Sequence, residues 1–127
     1  MKLKNIQMES MINSLKPFLS QRNKIGYVAA RNTRLLLSET TEYFAVKNDL
    51  IRRYGEPDID ENGNIGTTVT VKIGSDGYKN FEREILQYTD IEHDVPVMKL
   101  KYKDVIDVLS GEEILSIDWM LEDDAEG

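Results

Sequence analysis

Residues 24 to 55 read KIGYVAARNTRLLLSETTEYFAVKNDLIRRYG, and this stretch decides the predicted fold. Its apolar residues recur at steps of three and four, which is the spacing of a helix with one buried face. Because Gly55 suits a helix C-cap and Pro57 cannot continue a helix, we predict one helix from Lys24 to Tyr54. Its buried stripe is predicted to consist of Val28, Leu35, Leu36, Tyr43, Val46, Leu50 and Ile51.

So long a helix needs a neighbour that covers its apolar stripe. The nearest candidate is a helix predicted over Ile6–Leu19, which Pro17 should kink or end near Leu15. The two helices are expected to form an antiparallel hairpin. The Thr40-Thr41 pair weakens the helical pattern within the second helix.

Beyond the long helix, turn clusters and β-branched residues replace the helical pattern. A turn cluster over residues 58–64 leads into the sequence TTVTVKI, which predicts a strand over Thr67–Ile73. Further along, the pattern predicts an amphipathic helix over Tyr78–Tyr88. An extended segment is predicted over Ile91–Tyr102, and Pro96 should split it or confine it to a sheet edge. Short helices are predicted over Lys103–Leu109 and from Ser110 onward.

Together these elements predict an α+β fold. A long N-terminal helical hairpin packs with a small, mainly antiparallel sheet of two or three strands, and short C-terminal helices close the core. One domain is expected over residues 1–121, followed by an acidic frayed tail over residues 122–127.

Composition excludes several kinds of site. The chain has 127 residues and no cysteine, which excludes disulfides, thiolate metal sites and cysteine nucleophiles and favours a reducing compartment. No uncharged run approaches the ~20 apolar residues of a membrane span. The first ten residues lack the apolar core of a signal peptide. We therefore expect a cytoplasmic protein without membrane contact.

Charge is distributed unevenly along the chain. Residues 1–54 carry ten Lys/Arg against four Asp/Glu, a net charge of +6. Residues 55–127 carry six Lys/Arg against nineteen Asp/Glu, a net charge of −13. The two parts can neutralise each other, or each can present its charge to a partner.

The candidate binding residues are Arg22, Lys24, Tyr27, Arg31 and Arg34. On a helix, Lys24, Arg31 and Arg34 share a face because seven and three residues separate them, and Tyr27 lies beside them. Three interpretations stay open: a solvated or internally paired face, a protein interface, and a nucleic-acid contact with Tyr27 as a stacking surface.

Two segments carry weaker chemical signals. Asp58–Ile65 matches the first half of a calcium loop, but the closing glutamate position is Val69, so a plain Asn-Gly turn leading into a strand is the favoured interpretation. His93, the single histidine, stands between Glu92 and Asp94, where it is either an acid–base group or a packing residue of a strand. No nucleophile with a base partner, metal-ligand set or phosphate loop accompanies them. We expect no cofactor and no enzymatic activity.

The chain resembles a family of short phage and prophage proteins of unknown function. The resemblance is carried by the opening MKLKNIQMESMINSL, the basic stretch KIGYVAARNTR at 24–34, LIRRYG at 50–55, DENGN at 60–64 and LSGEE at 109–113. It implies a phage context in a bacterial host cell and a fold. It implies no activity, cofactor or catalytic residue.

The expected function is that of a non-enzymatic phage or prophage accessory protein that binds another protein through the basic helix face. In this role the arginines grip carboxylates and Tyr27 is an aromatic at the rim. One alternative is a nucleic-acid-binding module that uses the same face. Another is an acidic inhibitor that imitates nucleic acid and blocks a host or defence protein. An exposed apolar side of the long helix would also permit a homodimer, although the first helix would cover it equally well.

Overall fold

The chain consists of helices and short strands in the computed structural model, which describes residues 1–123 apart from the side chain of Thr67. The helices are α1 (Asn5–Leu15), α2 (Lys24–Glu39), α3 (Thr41–Tyr54), α4 (Asp76–Thr89), α5 (Tyr102–Val105) and α6 (Gly111–Ser116). The strands are β1 (Lys2–Lys4), β2 (Glu56–Ile59), β3 (Ile65–Thr70), β4 (Glu92–Asp94), β5 (Leu100–Lys101) and β6 (Leu121–Glu122). Short 3₁₀ helices occupy Lys16–Phe18 and Asp118–Met120. The predicted α+β class is confirmed.

The helix predicted from Lys24 to Tyr54 is two helices, because the chain leaves helical geometry at Thr40 (φ −104°, ψ 9°). The Thr40 hydroxyl donates to the carbonyl oxygen of Leu36 at 2.6 Å, and the Thr40 backbone N–H donates to the same oxygen at 3.1 Å. A hydroxyl bonded to the carbonyl four residues earlier perturbs the helical ladder. The prediction of one continuous helix, and of a hairpin with so long a second arm, is therefore wrong.

Residues on the two sides of this break belong to different compact units. The first unit contains residues 1–40 and the chain from Glu92 onward, and the second contains residues 41–91. The sequence predicts one domain over residues 1–121 and does not predict this division into two units. Of the acidic tail expected over 122–127, Glu122 lies in β6, and residues 124–127 lie outside the described residues.

In the first unit, α1 packs against the inner face of α2. Asn23 starts α2 by accepting a hydrogen bond from the backbone N–H of Gly26 at 3.2 Å, the usual arrangement of an N-cap. A side chain at Gly26 would overlap the backbone carbonyl of Gln21, so the turn before α2 requires glycine. As the sequence predicts, α1 ends at Leu15, and Pro17 lies in the 3₁₀ helix that follows. The inner face of α2 consists of Ile25, Gly26, Val28, Ala29, Asn32 and Leu36, all buried.

Asn32 joins the inner face of α2 to the chain between β4 and β5. Its side-chain nitrogen donates to the carbonyl oxygen of Met98 at 2.8 Å, and its side-chain oxygen accepts the backbone N–H of Met98 at 2.7 Å. The Asn32 side chain is fully buried. Buried amides are stable only when hydrogen-bonded, so this reciprocal pair fixes the position of the segment against α2.

The strands of the first unit form two small pairs. β1 pairs antiparallel with β4, and Leu3 stands opposite His93. The N-terminal ammonium closes this ladder by donating to the carbonyl oxygen of Val95 at 3.0 Å. β5 and β6 pair in parallel. The extended segment predicted over Ile91–Tyr102 is therefore β4 and β5, separated by five residues that include Pro96.

The two C-terminal helices differ in how well the sequence predicts them: α5 is shorter than predicted, and α6 begins where the sequence indicates. The helix expected over Lys103–Leu109 is α5, which already ends at Val105. α6 begins after Ser110, whose hydroxyl accepts the backbone N–H of Glu113 at 3.1 Å, while the Glu113 carboxylate accepts the Ser110 N–H at 2.9 Å. This reciprocal capping box is what the sequence Ser-Gly-Glu-Glu indicates.

In the second unit, α3 and α4 pack around a small core. The buried residues of this core are Tyr43, Leu50 and Ile85, with Phe44, Val46, Tyr54, Phe81 and Tyr88 packed against them. α4 follows the Tyr78–Tyr88 prediction closely, and Ser75 caps it by accepting the Tyr78 N–H at 3.1 Å. The amphipathic pattern therefore predicts this helix well.

The β2–β3 hairpin completes the second unit. Gly63, at φ +81°, makes the turn, and the Asp60 carboxylate accepts the backbone N–H groups of Asn62 and Asn64. β3 spans Ile65–Thr70, so the strand predicted over Thr67–Ile73 is placed too late. β2 was not predicted at all. Its Pro57 pairs with Val69 at the edge of a two-stranded sheet, a position where proline is tolerated.

Replacing Asn32 with alanine should destabilise the protein by about 1–3 kcal/mol, because the N–H and carbonyl of Met98 lose their partner. Urea unfolding followed by circular dichroism measures this difference. Asn13→Ala, on the exposed side of α1, is the control and should change the unfolding free energy by less than about 0.5 kcal/mol. Equal effects of the two substitutions would contradict a structural role of the Asn32–Met98 pair.

Candidate functional site: the outer face of α2

A depression of about 530 Å³ opens on the side of α2 that faces away from the core, and all the described residues that line it lie on this one helix. They are Tyr27, Ala30, Arg31, Arg34, Leu35 and Ser38, which we call the outer face of α2. Two residues along a helix correspond to about 200° of rotation. Arg34, two residues from both Asn32 and Leu36, therefore lies opposite the buried side.

The outer face combines apolar surface with two cations. Tyr27 is 61% exposed, Arg31, Arg34 and Ala30 are exposed, and Leu35 is half-buried. Tyr27, Arg31 and Leu35 form one row at four-residue steps. Residues on such a row are neighbours on the helix surface. An apolar groove bordered by guanidinium groups can hold an apolar side chain and its neighbouring carboxylates together.

Three of the five candidate binding residues, Tyr27, Arg31 and Arg34, line this depression. Arg22 is exposed in the connection before α2. Lys24 lies in the first turn of α2, and its ammonium Nζ is 3.4 Å from Asp104 Oδ2. The structure thus brings Tyr27, Arg31 and Arg34 together and places Lys24 in a pair with the acidic part of the chain.

The arginines of the outer face are free of such pairing. Within residues 1–123, Arg22, Arg31 and Arg34 make no ion pair. Glu39, the only nearby acid downstream in α2, is instead 3.2 Å from the Nδ1 atom of His93. Internal neutralisation, one of the interpretations of the basic cluster, therefore accounts for Lys24 and not for the three arginines.

Arg53 of the second unit shows what a paired arginine looks like in this protein. One of its terminal nitrogens is 2.9 Å from Asp49 Oδ2, and the other is 3.6 Å from Glu84 Oε2. A side-chain interaction with Tyr54 and the two carboxylates raise the pKa of Arg53. Arg31 and Arg34 have no comparable carboxylate partner within the described residues.

Asp104 is held in place mainly by the backbone. Its Oδ2 atom accepts the backbone N–H of Lys101 at 3.0 Å, and Lys24 approaches the same atom. These interactions, the Lys101 hydrogen bond first, lower the pKa of Asp104. Hydrogen bonds to the charged form of a carboxylate have this effect. The Lys24–Asp104 pair is therefore an anchor of α2 near α5 more than a site for a partner.

The calcium-loop interpretation gains no support from the geometry. One carboxylate oxygen of Asp60, Oδ1, already accepts the backbone N–H groups of Asn62 at 2.9 Å and Asn64 at 2.8 Å. These backbone hydrogen bonds, that of Asn64 first, lower the pKa of Asp60. Among residues 1–123, no group of three or more His, Asp or Glu side chains is placed to hold a metal ion. The segment is an Asx turn of the hairpin.

His93 pairs with one carboxylate and lies half-buried. Its Nδ1 atom contacts Glu39, and its Nε2 atom is buried without a hydrogen-bond partner. Sequence reasoning placed it between Glu92 and Asp94, which are exposed neighbours on the strand. The partner Glu39 is 54 positions away in the sequence, so no local signal could identify it.

The residues that sequence reasoning missed are Ala30, Leu35 and Ser38, which complete the outer face. Their spacing from Tyr27, at three, eight and eleven residues, is the helical pattern that could have identified them. Leu35 was predicted in the buried stripe and is half-buried at the edge of the depression.

Comparison of the chain with protein-family models, curated proteins and solved structures finds no match. Within residues 1–123, no helix combines the length and the apolar composition needed to cross a bilayer.

Replacing Lys24 with alanine should raise the pKa of Asp104 only part of the way to its ordinary value, since the Lys101 N–H remains. A depressed carboxyl pKa stabilises the fold above the unfolded-state pKa, and this stabilisation is lost as the pH falls through the folded-state pKa. Carboxyl ¹³C titration by NMR measures the change, with Lys16→Ala as the control. A return of Asp104 to the ordinary pKa of an aspartate would contradict the backbone as the main cause.

Proposed function

We propose that this protein is a non-enzymatic accessory protein of a phage or prophage and that it binds an acidic protein partner through the outer face of α2. The observation that carries the proposal is the pair of exposed arginines, Arg31 and Arg34, which border an apolar depression and have no ion-pair partner within the described residues. Exposed guanidinium groups without partners are available to bind carboxylates from another molecule.

The chemistry of the face favours a protein over a nucleic acid. Arginine and tyrosine, with tryptophan, are enriched among the residues that contribute most to binding at protein interfaces. The apolar surface around Ala30 and Leu35 gives little to a phosphate backbone. The whole chain carries a net charge of −7, which opposes the long, uniformly charged backbone of a nucleic acid more than a protein with a local acidic patch.

Charge reversal of the two arginines should abolish partner binding. Arg31→Glu with Arg34→Glu places two carboxylates where two cations stood, and we expect affinity for an acidic partner to fall at least about 100-fold. The matched control is Arg52→Glu with Arg83→Glu, which makes the same change of charge at two exposed arginines of the second unit. Both variants should unfold at the wild-type denaturant concentration, because all four side chains are exposed.

The measurement is capture from a host-cell lysate followed by calorimetry with the purified captured protein and, separately, with a labelled oligonucleotide. The proposal predicts an acidic protein that binds the wild type and the control variant but not the Arg31/Arg34 variant. A captured protein that binds all three equally would contradict the proposal. If the protein that binds all three forms equally is a nucleic-acid-binding protein, the result supports the acidic-inhibitor alternative instead of the proposal. Oligonucleotide binding that depends on Arg31 and Arg34 would favour the nucleic-acid alternative.

A further inference from the structure

We propose that the element of the partner that binds the outer face of α2 is an acidic amphipathic helix. Two of its apolar side chains would enter two successive holes on α2. The inference rests on the proposed function and adds the shape and spacing of what is bound. It is drawn from the arrangement of the six outer-face residues on one helix.

The six residues form two overlapping diamonds. Tyr27, Ala30, Arg31 and Arg34 occupy positions i, i+3, i+4 and i+7 of the first diamond. Arg31, Arg34, Leu35 and Ser38 occupy the same four positions of the second. Four residues with this spacing enclose the hole that receives a side chain of a facing helix in knobs-into-holes packing.

The composition of the two holes makes them receptive to apolar side chains. Ala30 leaves the first hole open, because its methyl group is the smallest side chain in the set. Leu35, half-buried, gives the second hole an apolar wall. Tyr27, at the N-terminal end of the first hole, offers an exposed ring against which a side chain can pack.

The positions of the arginines specify the acidic character of the partner helix. Arg31 and Arg34 belong to both diamonds, so they border each entering side chain. Because the holes are offset by four residues, they are about 6 Å apart along α2, which matches apolar residues four positions apart on a facing helix. Glu or Asp residues next to these apolar positions would reach both guanidinium groups.

An extended segment fits this face less well. The backbone hydrogen bonds of α2 are made within the helix, so its outer face offers only side chains to a ligand. An extended chain placed there would present backbone N–H and carbonyl groups that find no partner on α2. A helix satisfies its own backbone groups and presents only side chains.

Charge disfavours a second copy of this face as the occupant. Two outer faces packed against each other would bring Arg31 and Arg34 of one chain close to the same residues of the other. Like charges at such distances repel, and no acidic residue belongs to the outer face to offset them. The partner is therefore a different helix with the opposite charge.

The test uses a designed peptide of about 15 residues, based on alanine, with two leucines four positions apart and glutamates at the flanking positions. A second peptide replaces one central alanine with proline and cannot form the helix. A third replaces the glutamates with glutamines. Titration into the ¹⁵N-labelled protein gives the affinity from the amide shifts of α2.

We expect the helical peptide to bind at least about tenfold more tightly than the proline peptide and the glutamine peptide. Ala30→Leu, which fills the first hole, should weaken binding about tenfold, whereas Ala45→Leu, at an exposed alanine of α3, should not. Helical and proline peptides that bind equally through Arg31 and Arg34 would overturn the helical partner and leave the proposed function standing. Failure of every acidic peptide to bind, or binding that survives reversal of Arg31 and Arg34, would overturn both.

Discussion

The hydrogen bonds between Asn32 and the backbone of Met98 decide what the rest of the first unit presents to its surroundings. This amide is fully buried, exchanges two hydrogen bonds with the backbone of Met98, and also donates to Met120 Sδ at 3.6 Å. Any rotation of α2 about its axis would break the pair and leave buried polar groups without partners. The rotation that satisfies Asn32 turns Val28 and Leu36 inward. By the same geometry it turns Arg31 and Arg34 outward.

The charges of the first unit then divide into those that hold the fold and those that remain available. Lys24 lies against Asp104, and Glu39 lies against His93. Each of these pairs joins α2 or its end to a segment more than fifty residues away in the sequence. Arg31 and Arg34, farther around the helix, lie beyond the reach of such pairing within residues 1–123. Their charge is therefore the part of the basic cluster that the fold itself does not use.

Local patterns in the sequence predicted the elements that depend on local interactions. The cap of α6, the Asn-Gly turn and the shared face of Tyr27, Arg31 and Arg34 follow from residues at most seven positions apart. The class of the fold follows from the same patterns.

The break at Thr40 was only weakly signalled, because one threonine rarely interrupts a helix and its effect depends on a hydroxyl bond to Leu36. Asn32 stands between Arg31 and Arg34 in the sequence, and only the packing of Met98 against α2 explains why it is buried. The short strand β1 depends on β4, about ninety residues later, and has no pattern of its own.

The central claim is that Arg31 and Arg34 stand open to the surroundings and carry no internal partner. The reactivity of each arginine toward phenylglyoxal, followed by mass spectrometry of the folded protein, tests it most directly, since this reagent modifies accessible guanidinium groups. Arg31 and Arg34 should react at the rate of Arg22 and faster than Arg53, which is held by Asp49 and Glu84. Protection of Arg31 and Arg34 equal to that of Arg53 would show that their charge is used within the molecule and would contradict the claim.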